Sequence, residues 1–153
     1  MDKSKIREFV ERMSVNQQKM SEGFKFKLNE DFLKLDLGLA HLMVMKQLSN
    51  RPSAPIITEL TKNLSISAPM MTHIIDKLES SGLVQRTRDE SDRRIIKIAP
   101  TKKGKDMIRK FDEEHIKRTI EFINQLDEKE QAEFMSSVTT LMSITMKYYN
   151  KRK

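Results

Sequence analysis

Apolar residues recur at helical intervals from Lys3 to Leu28, at Ile6, Phe9, Val10, Met13, Met20 and Phe24, and charged or amide residues fill most of the positions between. That spacing predicts one long amphipathic helix. The stretch from Asn29 to Leu35 sustains no period and reads as a connector. Gly38 is placed to cap a helix in which Leu39, Leu42, Met43, Met45 and Leu48 make a broad apolar face, and Asn50-Arg51-Pro52 stops it. Pro52 and Pro55 then hold the chain extended.

Two short helical patterns follow. From Ile56 to Leu64, Ile57, Leu60 and Leu64 share one face; after the Leu64 to Ile66 turn, Met71, Ile74, Ile75 and Leu78 share another. Ser67 is an N-cap candidate with Pro69 in the first turn, where a missing N–H costs nothing, and Gly82 is placed to end the helix in a left-handed cap. Two helices joined by so short a turn form a helix-turn-helix. Leu83 to Arg88 and Arg94 to Ala99 then alternate around the polar run Asp89 to Arg93, predicting a hairpin with Leu83, Ile96 and Ile98 on one face. Thr101 caps a helix running to about Asn124 through Met107, Ile108, Phe111, Ile116, Ile120 and Ile123. Asp127 and Glu130 have capping-box spacing for a last one through Phe134, Val138, Leu141, Met142 and Tyr148. The expected fold is mainly α with a small β-hairpin wing: a winged helix-turn-helix domain over residues 35–100, and a helical region over 1–34 and 101–153.

Charge narrows the partners. There are 29 Lys and Arg against 22 Asp and Glu, a formal net charge of +7, which points to polyanions. More than half of that surplus falls between Ser67 and Lys105, from the second helix of the pair through the hairpin to the start of the helix after it. Cysteine is absent, so disulfides and thiolate metal sites are excluded. His41, His73 and His115 are scattered, with no ligand spacing, and neither a metal nor another cofactor is expected. No phosphate-binding loop or nucleophile motif stands out, so catalysis is not expected. The N-terminus has no signal-peptide core, and the longest apolar stretch, Leu37 to Met45, is too short to span a bilayer; a cytoplasmic protein is expected.

In a helix-turn-helix the N-terminal half of the second helix meets base edges, and flanking basic and amide groups grip phosphates. The candidates here are Ser67, Ala68, Pro69, Met70, Thr72, His73 and Lys77, with Met71 assigned to the core. Ser67 and Thr72 can donate hydrogen bonds, whereas Ala68, Pro69 and Met70 can touch thymine methyl groups. On the wing the candidates are Arg86, Arg88, Asp92, Arg93 and Arg94, with Asp92 paired to Arg94 and an arginine reaching a minor groove. An isolated run of this kind is usually a solvated turn. Its position directly after a helix-turn-helix favours contact with double-stranded DNA.

The order of elements and several motifs resemble the MarR family of winged helix-turn-helix regulators over nearly the whole chain. The sharpest are Leu78-Glu79-x-x-Gly82-Leu83-Val84-x-Arg86, Asp89-x-x-Asp92-Arg93-Arg94 and Thr101-x-x-Gly104, joined by Leu37-Gly38-x-x-His41. The chain departs from the family in its Pro69-Met70 pair, in His73 where arginine is frequent, and in Pro100 before Thr101. The resemblance implies a homodimer reading a pseudo-palindromic operator, and a repressor released by a small, often aromatic or anionic, effector. The apolar faces of Lys3 to Leu28 and Thr101 to Tyr149, too extensive for one small domain to cover, agree with a twofold dimer. The alternative is a winged-helix interaction module that binds protein or RNA without an operator of its own.

Overall fold

The computed structural model describes residues 2–23, 28, 30–89 and 91–150. Phe24, expected on the first helix's stripe, lies outside them, as does the side chain of Met20. In chain order the elements are α1 (Lys3–Gly23), α2 (Glu30–Lys34), α3 (Leu39–Ser49), α4 (Ile57–Leu64), α5 (Ala68–Ser80), β1 (Val84–Arg88), β2 (Ile96–Pro100), α6 (Lys102–Ile123) and α7 (Glu128–Asn150). No helix among the described residues is long and apolar enough to cross a membrane.

The predicted architecture, mainly helical with one antiparallel hairpin, is the observed one, with five corrections. The described part of α1 ends at Gly23, and Leu28 is not helical but packs against the core. The expected connector contains α2, whose Phe32 is fully buried and meets Phe111 edge to face at 6.1 Å between ring centroids. A five-residue helix is too short to show a period; burial of Phe32 and the two acids at its N-terminus hold it. On α3, Leu39 and Met43 are exposed and Val44 takes the buried place, because the core touches that helix from two sides. The strands begin one and two residues later than expected, and Pro100 closes β2 opposite Val84. Proline lacks only a donor, and the last ladder position tolerates that loss. Ile96, nearer the hairpin tip, lies beyond the core and is exposed, while Leu83 and Ile98 are buried.

The core forms where α3, α4 and α5 meet the hairpin and the first half of α6: Met45, Leu60, Met71, Ile74, Ile75, Leu78, Leu83 and Ile98 are wholly buried. Ser65 turns α4 into α5 in left-handed conformation (φ 53°), and the Ile66 amide donates to the Thr61 carbonyl at 3.2 Å. Gly82 ends the next helix at φ +72°, a conformation that disfavours a β-carbon. The sheet has an unforeseen third contributor: the Ile98 amide donates to the Pro55 carbonyl at 2.9 Å, and Ile56 forms an isolated bridge with Lys97. The extended stretch imposed by the prolines therefore braces the outer edge of β2.

Caps behave largely as expected. Thr101 Oγ1 accepts from the Gly104 amide at 3.1 Å, and Asp127 and Glu130 exchange the two bonds of a capping box. Gly104 has a second role. A β-carbon there would lie 2.1 Å from the Leu83 carbonyl oxygen and 2.9 Å from Met45 Cε, so the first turn of α6 rests on backbone that a side chain would displace. The Thr101-x-x-Gly104 motif thus joins a cap to a close approach.

Candidate nucleic-acid interface

Helix α5 has two faces. Met71, Ile74, Ile75 and Leu78 are buried, whereas Ser67, Ala68, Pro69, Met70, Thr72, His73 and Asp76 are exposed. Six of the seven helix candidates therefore share an exposed surface at its N-terminal half, and Met70 is 48% exposed beside a fully buried Met71. Ser67 occupies the N-cap position, but its hydroxyl makes no cap hydrogen bond. The Thr72 hydroxyl donates to the Ala68 carbonyl at 3.0 Å, within the helix itself.

Lys77 is half-buried instead, its Nζ 3.7 Å from Oδ2 of Asp36. Asp36 precedes α3, beside His41. Nδ1 of His41 accepts from the Gly38 amide at 3.1 Å, so the residue at the third position of α3 caps its own helix. Its Nε2 is buried and meets no partner among the described residues. Burial first, then the nearby His73 and Lys77, holds the imidazole below its usual pKa.

Arg86 is also committed within the domain. Its guanidinium pairs with Glu79 and, at 2.6 Å, with Asp76, while its amide donates to Glu79 Oε1 at 3.1 Å. The Asp76 hydrogen bond leads in raising its pKa. Arg86, expected as a wing contact, here forms a clasp between β1 and α5. The signal was present in the Asp76 and Glu79 spacing, one helical turn apart on a face that the following strand must cross.

Wing residues Arg88, Arg93 and Arg94 are exposed, and none of their side chains meets a carboxylate among the described residues. The turn that carries them is organised by acids. Oδ1 of Asp89 accepts from the Ser91 and Asp92 amides at 2.8 and 3.1 Å, and its carboxylate pairs with Lys97. Lys97 and these amides hold the Asp89 carboxyl down at about 2. Asp92 does not pair with the Arg94 guanidinium, as expected, but accepts from the Arg94 amide at 2.9 Å. A carboxylate that folds the backbone leaves the neighbouring guanidinium available. Asp89, unassigned from sequence, is the turn's main organiser. Behind α5, Lys103 donates to the Ser81 carbonyl at 2.8 Å, satisfying a group the helix end leaves open.

A separate groove of about 520 Å³ lies between α3 and α6, with Leu39, Met43, Phe111 and His115 among its walls and Lys46 at its rim. Lys46 pairs with Asp112 and lies 5.4 Å from the Phe111 ring centroid.

The chain resembles known proteins in sequence and in fold. The MarR family model matches residues 37–96, from the start of α3 to the start of β2. An HTH-type transcriptional regulator of Bacillus subtilis, YfiV, is 27% identical over 97 residues, covering 61% of this chain and 60% of its own length. The match thus leaves more than a third of YfiV unaccounted for. A point mutant of S. aureus MepR superposes with a TM-score of 0.73 at 20% identity, covering 86% of this chain and 97% of that one. S. aureus MepR in complex with DNA superposes at 0.65 and 18% identity, covering 90% and 98%. At such identities the structural likeness establishes the fold, a winged helix. The winged segment, residues 37–96, thus matches the MarR family, and the chain as a whole shares the fold of the solved structures.

Proposed function

We propose that the protein is a dimeric, sequence-specific DNA-binding transcriptional regulator, a repressor released by a small aromatic or anionic effector. The observation that carries the DNA reading is the juxtaposition of an exposed α5 N-terminal half with three exposed guanidiniums that meet no carboxylate among the described residues, on a turn ordered by Asp89 and Asp92. Helix side chains suit a major groove, and arginines on a narrow turn suit the adjacent minor groove. The likeness to MepR, which has been seen with DNA, supports the same reading.

Exposed apolar surface on the long helices supports a division of labour. Residues 35–100 are the reading domain, and 1–34 with 101–153 are the dimerisation region. Ile6, Phe9, Val10 and Met13 on α1, and Leu141, Met142, Ile144, Met146 and Tyr149 on α7, are exposed within one chain. Apolar surface on this scale calls for a second copy, and a twofold pair would present two wings to a pseudo-palindromic operator. The groove between α3 and α6 suits the effector, because it lies where the reading domain adjoins the long helices.

Footprinting on DNA upstream of its own coding region tests the reading. A protected pseudo-palindrome is expected, with affinity falling steeply as salt rises. Arg94→Ala should weaken binding to that site and leave the dimer intact. Only diffuse, salt-labile binding would overturn it in favour of a module for protein or RNA.

A further inference from the structure

Side chains that read bases in a major groove follow a short chemical code. Arginine or lysine bridges guanine O6 and N7, asparagine or glutamine bridges adenine N6 and N7, and apolar groups meet the thymine 5-methyl. From Ser67 to Ser80 the chain has no Arg, Asn or Gln. Its one lysine, Lys77, is half-buried beside Asp36. The carboxylate of Asp76, an acceptor for cytosine N4, is held by Arg86. The proton of the Thr72 hydroxyl is engaged by the Ala68 carbonyl, and Pro69 has no amide hydrogen. What the first two turns of α5 offer outward is largely hydrocarbon and thioether: Ala68, Pro69 and Met70, with the Ser67 hydroxyl and His73 at the margins.

Building on the DNA-binding reading above, we infer that α5 recognises its half-site chiefly through thymine 5-methyl groups, with Met70 as the principal contact and guanine readout secondary. Met70 suits the role. Its unbranched side chain adapts to a methyl whose position varies with local twist, and it is neither buried nor replaced by a neighbour in the core. The wing adds a second, independent bias in the same direction. Exposed arginines on a narrow turn favour the compressed, electronegative minor groove of A·T tracts. Both halves of the reading unit therefore select A·T-rich DNA, one by a methyl and the other by groove width.

The test uses the full chain. Duplexes are enriched from a randomised pool, and each thymine of the resulting half-site is replaced in turn by deoxyuridine, which lacks only the methyl. Each guanine is separately replaced by 7-deazaguanine. Loss of about fourfold in affinity is expected for each contacted methyl, the effect of removing one buried methyl-sized group. Deazaguanine should change affinity less than twofold. Met70→Ala should abolish the uracil sensitivity of at least one position while retaining the wild-type melting temperature. Equal binding of uracil and thymine duplexes, or a loss carried by deazaguanine, overturns the inference and leaves the DNA-binding reading standing. A pool that yields no enriched sequence overturns both.

Discussion

Arg86 reaches from β1 to α5 and places Nη2 2.6 Å from Oδ1 of Asp76. The pair puts a cation over the one acid on the exposed face of α5, beside the surface proposed to meet DNA. Without it, a phosphate backbone would approach an uncompensated carboxylate. Arg86→Ala should therefore weaken operator binding about tenfold, on the scale of one charge-assisted hydrogen bond. Adding Asp76→Asn should recover part of that loss. A double variant no better than Arg86→Ala would instead mean that the arginine touches DNA directly.

Gly104→Ala tests the approach of α6 to the hairpin. The added carbon would meet the Leu83 carbonyl, which belongs to backbone and has no rotamer to change. Destabilisation of about 1–3 kcal/mol is expected, the usual range for overpacking a filled site. Urea unfolding measures it directly. A midpoint unchanged from wild type would show that α6 can slide along Leu83.

His41 predicts a stability that depends on mild acid. Its imidazole accepts from the Gly38 amide through Nδ1, and burial lowers its pKa below the unfolded value of 6.5. The folded protein thus takes up the proton less readily than the unfolded chain. The contribution is intact above about pH 6.5 and is lost as pH falls from there towards the folded pKa. His41→Gln keeps an acceptor for Gly38 but does not titrate, so its urea midpoint should fall less than wild type between pH 7 and pH 5. Parallel curves would exclude His41 as the source.

The wing tip has its own acid transition. Asp89 is held near 2, so its ordering of the turn is present above the ordinary carboxylate range and lost as pH falls from about 4 towards 2. Asp89→Asn should bring that loss to neutral pH. Amide hydrogen exchange at Ser91 and Asp92, the two groups its carboxylate accepts from, should quicken in the variant while exchange in α5 stays unchanged. Unaltered exchange at both amides would remove Asp89 from the account of the turn.

Local chemistry was readable from the sequence, and pairing across the fold much less so. Gly38, Thr101, Asp127 and Glu130 act within a few residues of themselves, so spacing alone located the helices they begin. The exposed row Ser67, Ala68, Pro69, Met70, Thr72 and His73 followed from the same logic, because four buried neighbours define the opposite face of α5. Lys77 and Arg86 also looked available, but their partners come from another element or from a helix the strand folds across. Asp92 was matched to the right residue and the wrong atom, since a short side chain near a turn serves the backbone before it serves a neighbouring guanidinium. The α2 helix left no period to find; Phe32 is there because a pocket beside Phe111 receives it.

The bare α-carbon of Gly104 also decides how motion travels. Elements that touch through side chains have slack, because rotamers yield before the main chain moves. Here α6 presses on the Leu83 carbonyl with nothing interposed, and the Thr101 hydroxyl fastens the joint to the carbonyls of Gly82 and Leu83. The base of the wing is the fulcrum of a long arm. Any tilt of α6 would therefore meet the base of the hairpin through backbone, with no rotamer between them to absorb it.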